Sequence, residues 1–111
     1  MVASLLSPPE TDRVFHALAD PTRRDIVQTV LFEAHSVPAL ARRYPMSVAA
    51  VQKHVAVLEE AGLVAKQRRG REALVSGDID RVREASRALD ALEAVWRARV
   101  AQMDAILAED P

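Results

Sequence analysis

Residues 47–75, SVAAVQKHVAVLEEAGLVAKQRRGREALV, decide the fold. Val51, Val55, Leu58 and Ala61 recur at spacings of four, three and three, which is one face of a helix running from about Val48 to Ala61. Ser47 stands where a helix needs an oxygen to accept from its first unpaired amides. Gly62 is suited to the left-handed backbone that ends a helix, with Leu63 folding back onto the last turn. Leu63-Val64-Ala65 and Ala73-Leu74-Val75 are then two short β-prone runs. Between them lies Lys66-Gln67-Arg68-Arg69-Gly70-Arg71-Glu72, whose Gly70 can supply the positive φ of a hairpin turn. An isolated hairpin is marginal in water, so this one must pack on helices.

Upstream, Tyr44-Pro45-Met46 is a break, because proline disfavours helical geometry at Tyr44. Before it, Ser36 caps a short helix with Val37, Leu40 and Ala41 turned inward. Glu33-Ala34-His35 interrupts the periodicity, and His35 reads as an exposed loop histidine. Asp20-Pro21 is a cap followed by proline at the first helical position, opening a helix with Ile26, Val27, Val30 and Leu31 on one face. A first helix fits Pro9–Leu18, with Glu10 and Asp12 at its positive end and Val14, Ala17 and Leu18 together. His16 lies four residues from both Asp12 and Asp20, but Asp20 is better used as a cap than as a metal ligand.

Downstream, Ser76-Gly77-Asp78 ends the second strand and offers Asp78 as the cap of a helix from Ile79 to about Glu109, a stretch without Gly or Pro. Thirty helical residues span roughly 45 Å, whereas a globule of about 75 residues is only ~25 Å across. The helix must overhang. Its apolar stripe, Val82, Ala85, Leu89, Leu92, Trp96, Val100, Met103 and Leu107, does not fade along the way. Such a stripe needs a partner surface that this chain is too short to provide, and a second copy is the expected partner. The expected organisation is a flexible N-terminus over 1–8, a compact unit over 9–77 and a dimerisation helix over 78–111.

The composition excludes more than it assigns. Half of the 111 residues are apolar and 28% are charged, which is globular, not disordered. There is no cysteine, so no disulfide, thiolate metal site or cysteine nucleophile, as suits a reducing cytoplasm. No apolar run approaches the roughly 20 residues of a membrane span, and Met1–Ser7 lacks the features of a secretory signal. Only three glycines are present, with no phosphate-binding loop, nucleophile elbow or metal-spaced histidine pair, so neither an enzyme nor a cofactor is expected.

Charge is the informative quantity. From Arg42 to Arg71 there are seven bases and two acids, while the other residues hold eight bases and fourteen acids. A nearly neutral chain is thus split into a basic middle and acidic flanks, an electrostatic footprint for a polyanion. Helix, break, helix and basic hairpin form a winged helix-turn-helix layout, mainly α with a two-stranded β wing. A helix entering the major groove presents its first turns to base edges. Outward of the Val51/Val55/Leu58 stripe lie Ala49, Ala50, Gln52, Lys53 and His54. Small residues allow close approach and contact with a thymine methyl, Gln52 suits adenine, and Lys53 reaches guanine or phosphate. Lys66, Arg68, Arg69 and Arg71 on the hairpin would straddle the backbone or enter a narrow minor groove. Arg42, Arg43 and Tyr44 read equally as phosphate contacts or as a solvated helix end. Arg97 and Arg99 read as solvated or paired with Glu93 and Asp104, and Trp96 as interface packing. The competing reading is a winged-helix protein-interaction module without DNA binding, which would have no need of four cations on one hairpin.

Three segments also resemble one family. Phe15–Arg24, FHALADPTRR, is similar to the opening of ArsR-type repressors, Ser47–Leu58 resembles their recognition helix, and Glu60–Val64, EAGLV, their lead into the wing. The likeness runs in order from about Val14 to Val75. It implies a homodimeric bacterial repressor, joined through its first and last helices, that binds an inverted-repeat operator in double-stranded DNA and leaves it on a signal. It also implies that Ser47, Ala49, Ala50, Gln52, Lys53 and His54 face DNA, with His54 on a phosphate. Asp20, Pro21, Arg23 and Arg24 become structural or backbone-contacting. Metal-sensing members use cysteines, or histidines on the last helix. This chain has no cysteine and no histidine from Ile79 to Pro111, so metal sensing at those places is not expected and the effector stays unnamed.

Overall fold

The computed structural model describes residues 6–109. Its first helix, α1 (Pro8–Leu18), opens with a reciprocal pair of hydrogen bonds: Ser7 Oγ accepts from the Glu10 amide at 3.3 Å, and the Glu10 carboxylate accepts from the Ser7 amide at 2.9 Å. Leu6, just ahead of this cap, is buried. Of the tail expected to be flexible over 1–8, residues 1–5 lie outside the described residues, while Leu6 packs on the core and Pro8 opens α1.

The second helix, α2 (Pro21–Phe32), is capped by Asp20, whose carboxylate accepts from the Arg23 amide at 3.0 Å. The last carbonyls of a helix have no partner within it and carry its negative end. Here two guanidinium groups supply partners: Arg23 donates to Ala17 O at 2.7 Å and to His16 O at 3.1 Å, and Arg24 donates to Leu18 O at 2.8 Å. Asp-Pro-Thr-Arg-Arg therefore closes one helix and opens the next.

Then follow β1 (His35–Ser36), α3 (Val37–Ala41), α4 (Val48–Glu60), β2 (Val64–Arg69), β3 (Glu72–Gly77) and α5 (Ile79–Ala108). Ser36 and Ser47 cap α3 and α4, accepting from the amides of Ala39 and Ala50. Past the end of α4, Gly62 has φ +77°, its amide donates to Glu59 O, and the Leu63 amide donates to Leu58 O. Leu58 and Leu63 are both fully buried beside this turn. Across the hairpin, Arg69 pairs with Glu72, which leaves a two-residue loop of Gly70 and Arg71. Gly70 has φ +64° and Arg71 does not have a positive φ, the signature of a type II′ turn.

The two-stranded wing of β2 and β3 is as expected, and β1 adds a third antiparallel strand to it, giving the order β1-β3-β2, with His35 opposite Val75 and Ser36 opposite Leu74. His35 is thus an edge-strand residue, half-buried, not a loop residue. Two residues are too few to display a period-two pattern, and their pairing depends on where α2 delivers the chain against β3. The wing strands are also longer than the apolar runs that announced them, so Lys66–Arg69 belong to β2 and not to the loop.

The core unites Val14 and Ala17 of α1, Ile26, Val27 and Val30 of α2, Leu40 of α3, and Val51, Val55 and Leu58 of α4 with Leu63 and Val75. Each fully buried aliphatic side chain contributes roughly 1.5–3 kcal/mol relative to exposure. Tyr44 Oη donates to Asp25 Oδ2 at 2.6 Å and fastens the end of α3 to α2; burial, reinforced by Asp25, raises the Tyr44 pKa. At the start of α5, Arg81 pairs with Glu10 at 3.4 Å and with Glu84 at 3.8 Å, tying α5 to α1. Beyond that tie α5 projects, and the molecule measures 73 × 31 × 23 Å. No helix of the described residues is long and apolar enough to cross a membrane.

Candidate nucleic-acid interface

The inward face of α4 is closed by Val51, Val55 and Leu58, which leaves its first turns facing outward. Ser47, Ala49, Gln52 and Lys53 are exposed, while Ala50 and His54 are half-buried. The Ser47 hydroxyl accepts from the Ala50 amide at 3.1 Å, so its own O–H is left to donate outward. Val48 is 50% exposed on the same turn. Sequence reasoning missed it because its phase lies at the edge of the buried stripe, whose first fully buried member is Val51. An exposed apolar side chain between Ser47 and Ala49 suits a methyl group.

A cleft of about 530 Å³ lies between α3, α4 and the wing. Gln52 enters it from α4, Lys66, Arg71 and Glu72 from the wing, and Arg42 from the end of α3. Three cations and one carboxylate make this hollow basic. It assigns Arg42, which the sequence left between two readings, to the same surface as Gln52. The four wing cations are also divided. Lys66 stands opposite the buried Val75, on the face turned toward the helices, whereas Arg68 and Arg69 border a smaller hollow with Ala34, Gln67, Leu74 and Ser76.

His54 sits deeper than the exposed Gln52 and Lys53, with Nδ1 3.3 Å from Nη1 of Arg23. That Arg23 is the residue already bound to the end of α1. The carboxyl of Asp20, beside them, is held below the ordinary Asp value, first by the hydrogen bond from the Arg23 amide and further by that from the Thr22 amide and the charge of Arg23, against an opposing desolvation. Among the described residues no group of three or more His, Cys, Asp or Glu is placed to hold a metal ion. His16 is exposed, and Asp20 is occupied as a cap.

The apolar stripe of α5 divides in two. Ala85 is buried and Val82 packs on the core of its own chain, so these two positions are filled within the protomer. Leu89, Leu92, Trp96, Val100, Met103 and Leu107 are exposed, Leu92 and Trp96 each at 67%. Val95 and Ile106, absent from the stripe read in the sequence, are exposed beside it and widen it. Along the other flank of the stripe Arg97 is paired with Glu93 at 3.0 Å.

Residues 18–67, from the end of α1 into β2, match a helix-turn-helix domain family. An ArsR-like transcriptional regulator from Rhodococcus sp. RHA1 has the same architecture with a TM-score of 0.80 and 33% identity, over 88% of this chain and 92% of its own. The chain belongs to the ArsR-like regulators. A homodimeric winged helix-turn-helix domain from Mycobacterium bovis, described as a possible ArsR-family transcriptional regulator, is similar to this ArsR-like chain at 25% identity and a TM-score of 0.64, covering 78% of this chain and 79% of that one. The HTH-type transcriptional regulator Rv2034 of Mycobacterium tuberculosis is 47% identical over 53 residues, 48% of this chain and half the length of that relative. Within the domain match lie α2, α3 and α4, the elements that carry Arg23, Arg42 and the outward face of α4.

Proposed function

We propose that this ArsR-like protein is a dimeric transcriptional repressor that binds an inverted repeat in double-stranded DNA. The observation that carries the reading is the cleft in which Gln52 of α4 meets Lys66 and Arg71 of the wing and Arg42 of α3. A base-reading amide is surrounded by phosphate-seeking cations, so position and sequence are read by different side chains. Ser47, Ala49, Ala50, Gln52 and Lys53 face the major groove. Arg68 and Arg69 lie farther out, suited to the flanking backbone or minor groove. Leu89, Leu92, Trp96, Val100, Met103 and Leu107 of α5 pack against a second copy, an arrangement supported by the homodimeric Mycobacterium bovis relative. Two recognition helices one duplex turn apart call for half-sites about 10–11 bp centre to centre. The protein acts in the cytoplasm, on the nucleoid, and occupancy of the operator blocks transcription until an effector arrives.

Selection of bound duplexes from a random pool, followed by affinity measurements across a salt series, tests this directly. Binding through about 6–10 phosphates loses roughly three to five orders of magnitude between 50 and 200 mM salt. A two-fold-symmetric site is expected. Absence of any binding at low salt would replace this reading with that of a winged-helix protein-interaction module.

A further inference from the structure

We propose that Arg23 is the positioning residue that presets His54 as an Nε2–H hydrogen-bond donor on the outer side of α4. The two residues are 31 positions apart, and three contacts define the geometry. Arg23 Nε donates to Ala17 O at 2.7 Å, Nη2 donates to His16 O at 3.1 Å, and Nη1 lies 3.3 Å from His54 Nδ1. The guanidinium is pinned at one edge by the carbonyls that end α1, and its backbone amide is bound to Asp20 at 3.0 Å. With that edge held, its free Nη1 end is aimed at the imidazole.

Chemistry then settles the protons. A guanidinium offers five N–H donors, no acceptor, and is never deprotonated in a protein. Nδ1 must accept, so in the neutral ring the proton sits on Nε2. No protein atom bonds to Nε2 among the described residues, and none of their buried side-chain nitrogens or oxygens lacks a partner. Nε2 on this half-buried residue is therefore open to solvent, one helical turn from Ala50 on the face that carries Lys53. A ring with Nδ1 tied and Nε2–H presented is a directional donor of fixed orientation, suited to a phosphate oxygen or a base acceptor. Arg23 does not touch the nucleic acid; it removes the ring's freedom to flip or change tautomer before binding. The ligand half of this inference rests on the DNA-binding reading above, while the tautomer half does not.

The test has two arms. In the DNA-free protein, at a pH where its own nitrogen-15 shifts show the ring to be neutral, nitrogen-15 NMR of the His54 ring should show a single tautomer with the proton on Nε2. The Arg23→Lys variant keeps the charge but cannot reach both α1 and His54, and should show a mixture. In the second arm, affinity for the selected duplex is measured for Arg23→Lys, His54→Ala and the double variant. Ordering one side chain is worth about 3- to 10-fold in affinity, so Arg23→Lys should weaken binding by that factor. In the His54→Ala background the same change should cost nothing further. A wild-type ring protonated on Nδ1 overturns the proposal whatever the DNA result. Additive losses in the double variant also overturn it, because Arg23 would then act directly or through folding. A protein with the Nε2–H tautomer that binds no duplex keeps Arg23's grip on the ring and sinks the DNA reading alone.

Discussion

Replacing Leu89 and Leu92 together by Glu should turn the protein into a monomer. The two side chains are 55% and 67% exposed on α5, so a little more than half of each remains available for burial against a second copy. Burying a whole leucine is worth roughly 1.5–3 kcal/mol; the available part is then worth about 1–2 kcal/mol per side chain. A symmetric interface uses each residue twice, giving four side chains and about 4–8 kcal/mol of lost burial. Four carboxylates brought into an apolar seam add desolvation and mutual repulsion to that loss. Even the lower figure raises the dimer Kd about a thousandfold. Sedimentation velocity across a concentration series reads this as a shift to a single species of 12.2 kDa. The melting temperature of the wild type should rise with protein concentration and that of the variant should not. Arg87→Glu, on the opposite side of the same helix, controls for charge and should leave the dimer intact. A change of less than tenfold in the dimer Kd would refute the reasoning, because the exposed stripe would then not be the seam.

Gln52→Ala should relax base preference at one operator position by about 1–3 kcal/mol, whereas Arg69→Ala should weaken all sequences alike and lower the salt slope by about one. Affinities for single-base operator variants at several salt concentrations separate the two, and equal losses of specificity would count against this division of labour. Gly62→Ala should destabilise by roughly 1–2 kcal/mol, the cost of a left-handed backbone for a residue with a Cβ. That Cβ would also sit 2.7 Å from Arg81 Nε and displace the flexible guanidinium from Glu10, so denaturant melts should show less than additive losses when combined with Arg81→Ala. Asp20→Ala should cost about 0.5–2 kcal/mol through loss of the α2 cap, while Asp20→Asn should retain most of it. Because the Arg23 amide lowers the folded-state pKa of Asp20, its charge contributes stability above the ordinary value of 3.8 and that contribution is lost as pH falls through the lower folded value. Asp20→Asn should therefore flatten the acid limb of the stability profile below pH 3.8 and lower the neutral plateau by the contribution of the charge without changing its slope.

What could be read without coordinates was whatever is encoded within one helical turn. The caps at Asp20, Ser36, Ser47 and Asp78 each depend on an oxygen three residues before the amide it receives, and the end of α4 needs only Gly62 and its neighbours. The outward face of α4 was legible for the complementary reason, since the stripe that faces the core leaves the other side to solvent. Features that failed to show are those made by meeting at a distance. Two residues of β1 carry no period, and only the docking of α2 against β3 makes His35 and Ser36 a strand. Arg42, Gln52 and Arg71 share a cleft across 29 positions of sequence, and no local pattern links them. The contact of Arg23 with His54 spans 31, and the family resemblance marked Arg23 and Arg24 only as structural or backbone-contacting. On α5 the period marked the apolar face correctly, but a period cannot say which body covers it. Val82 and Ala85 lie on the same stripe as Leu89 and Leu92 but nearer Glu10 and Arg81, where the tie to α1 holds the helix against its own core. Beyond that tie the apolar pattern continues and faces outward, and it is there that the proposed interface with a second copy begins.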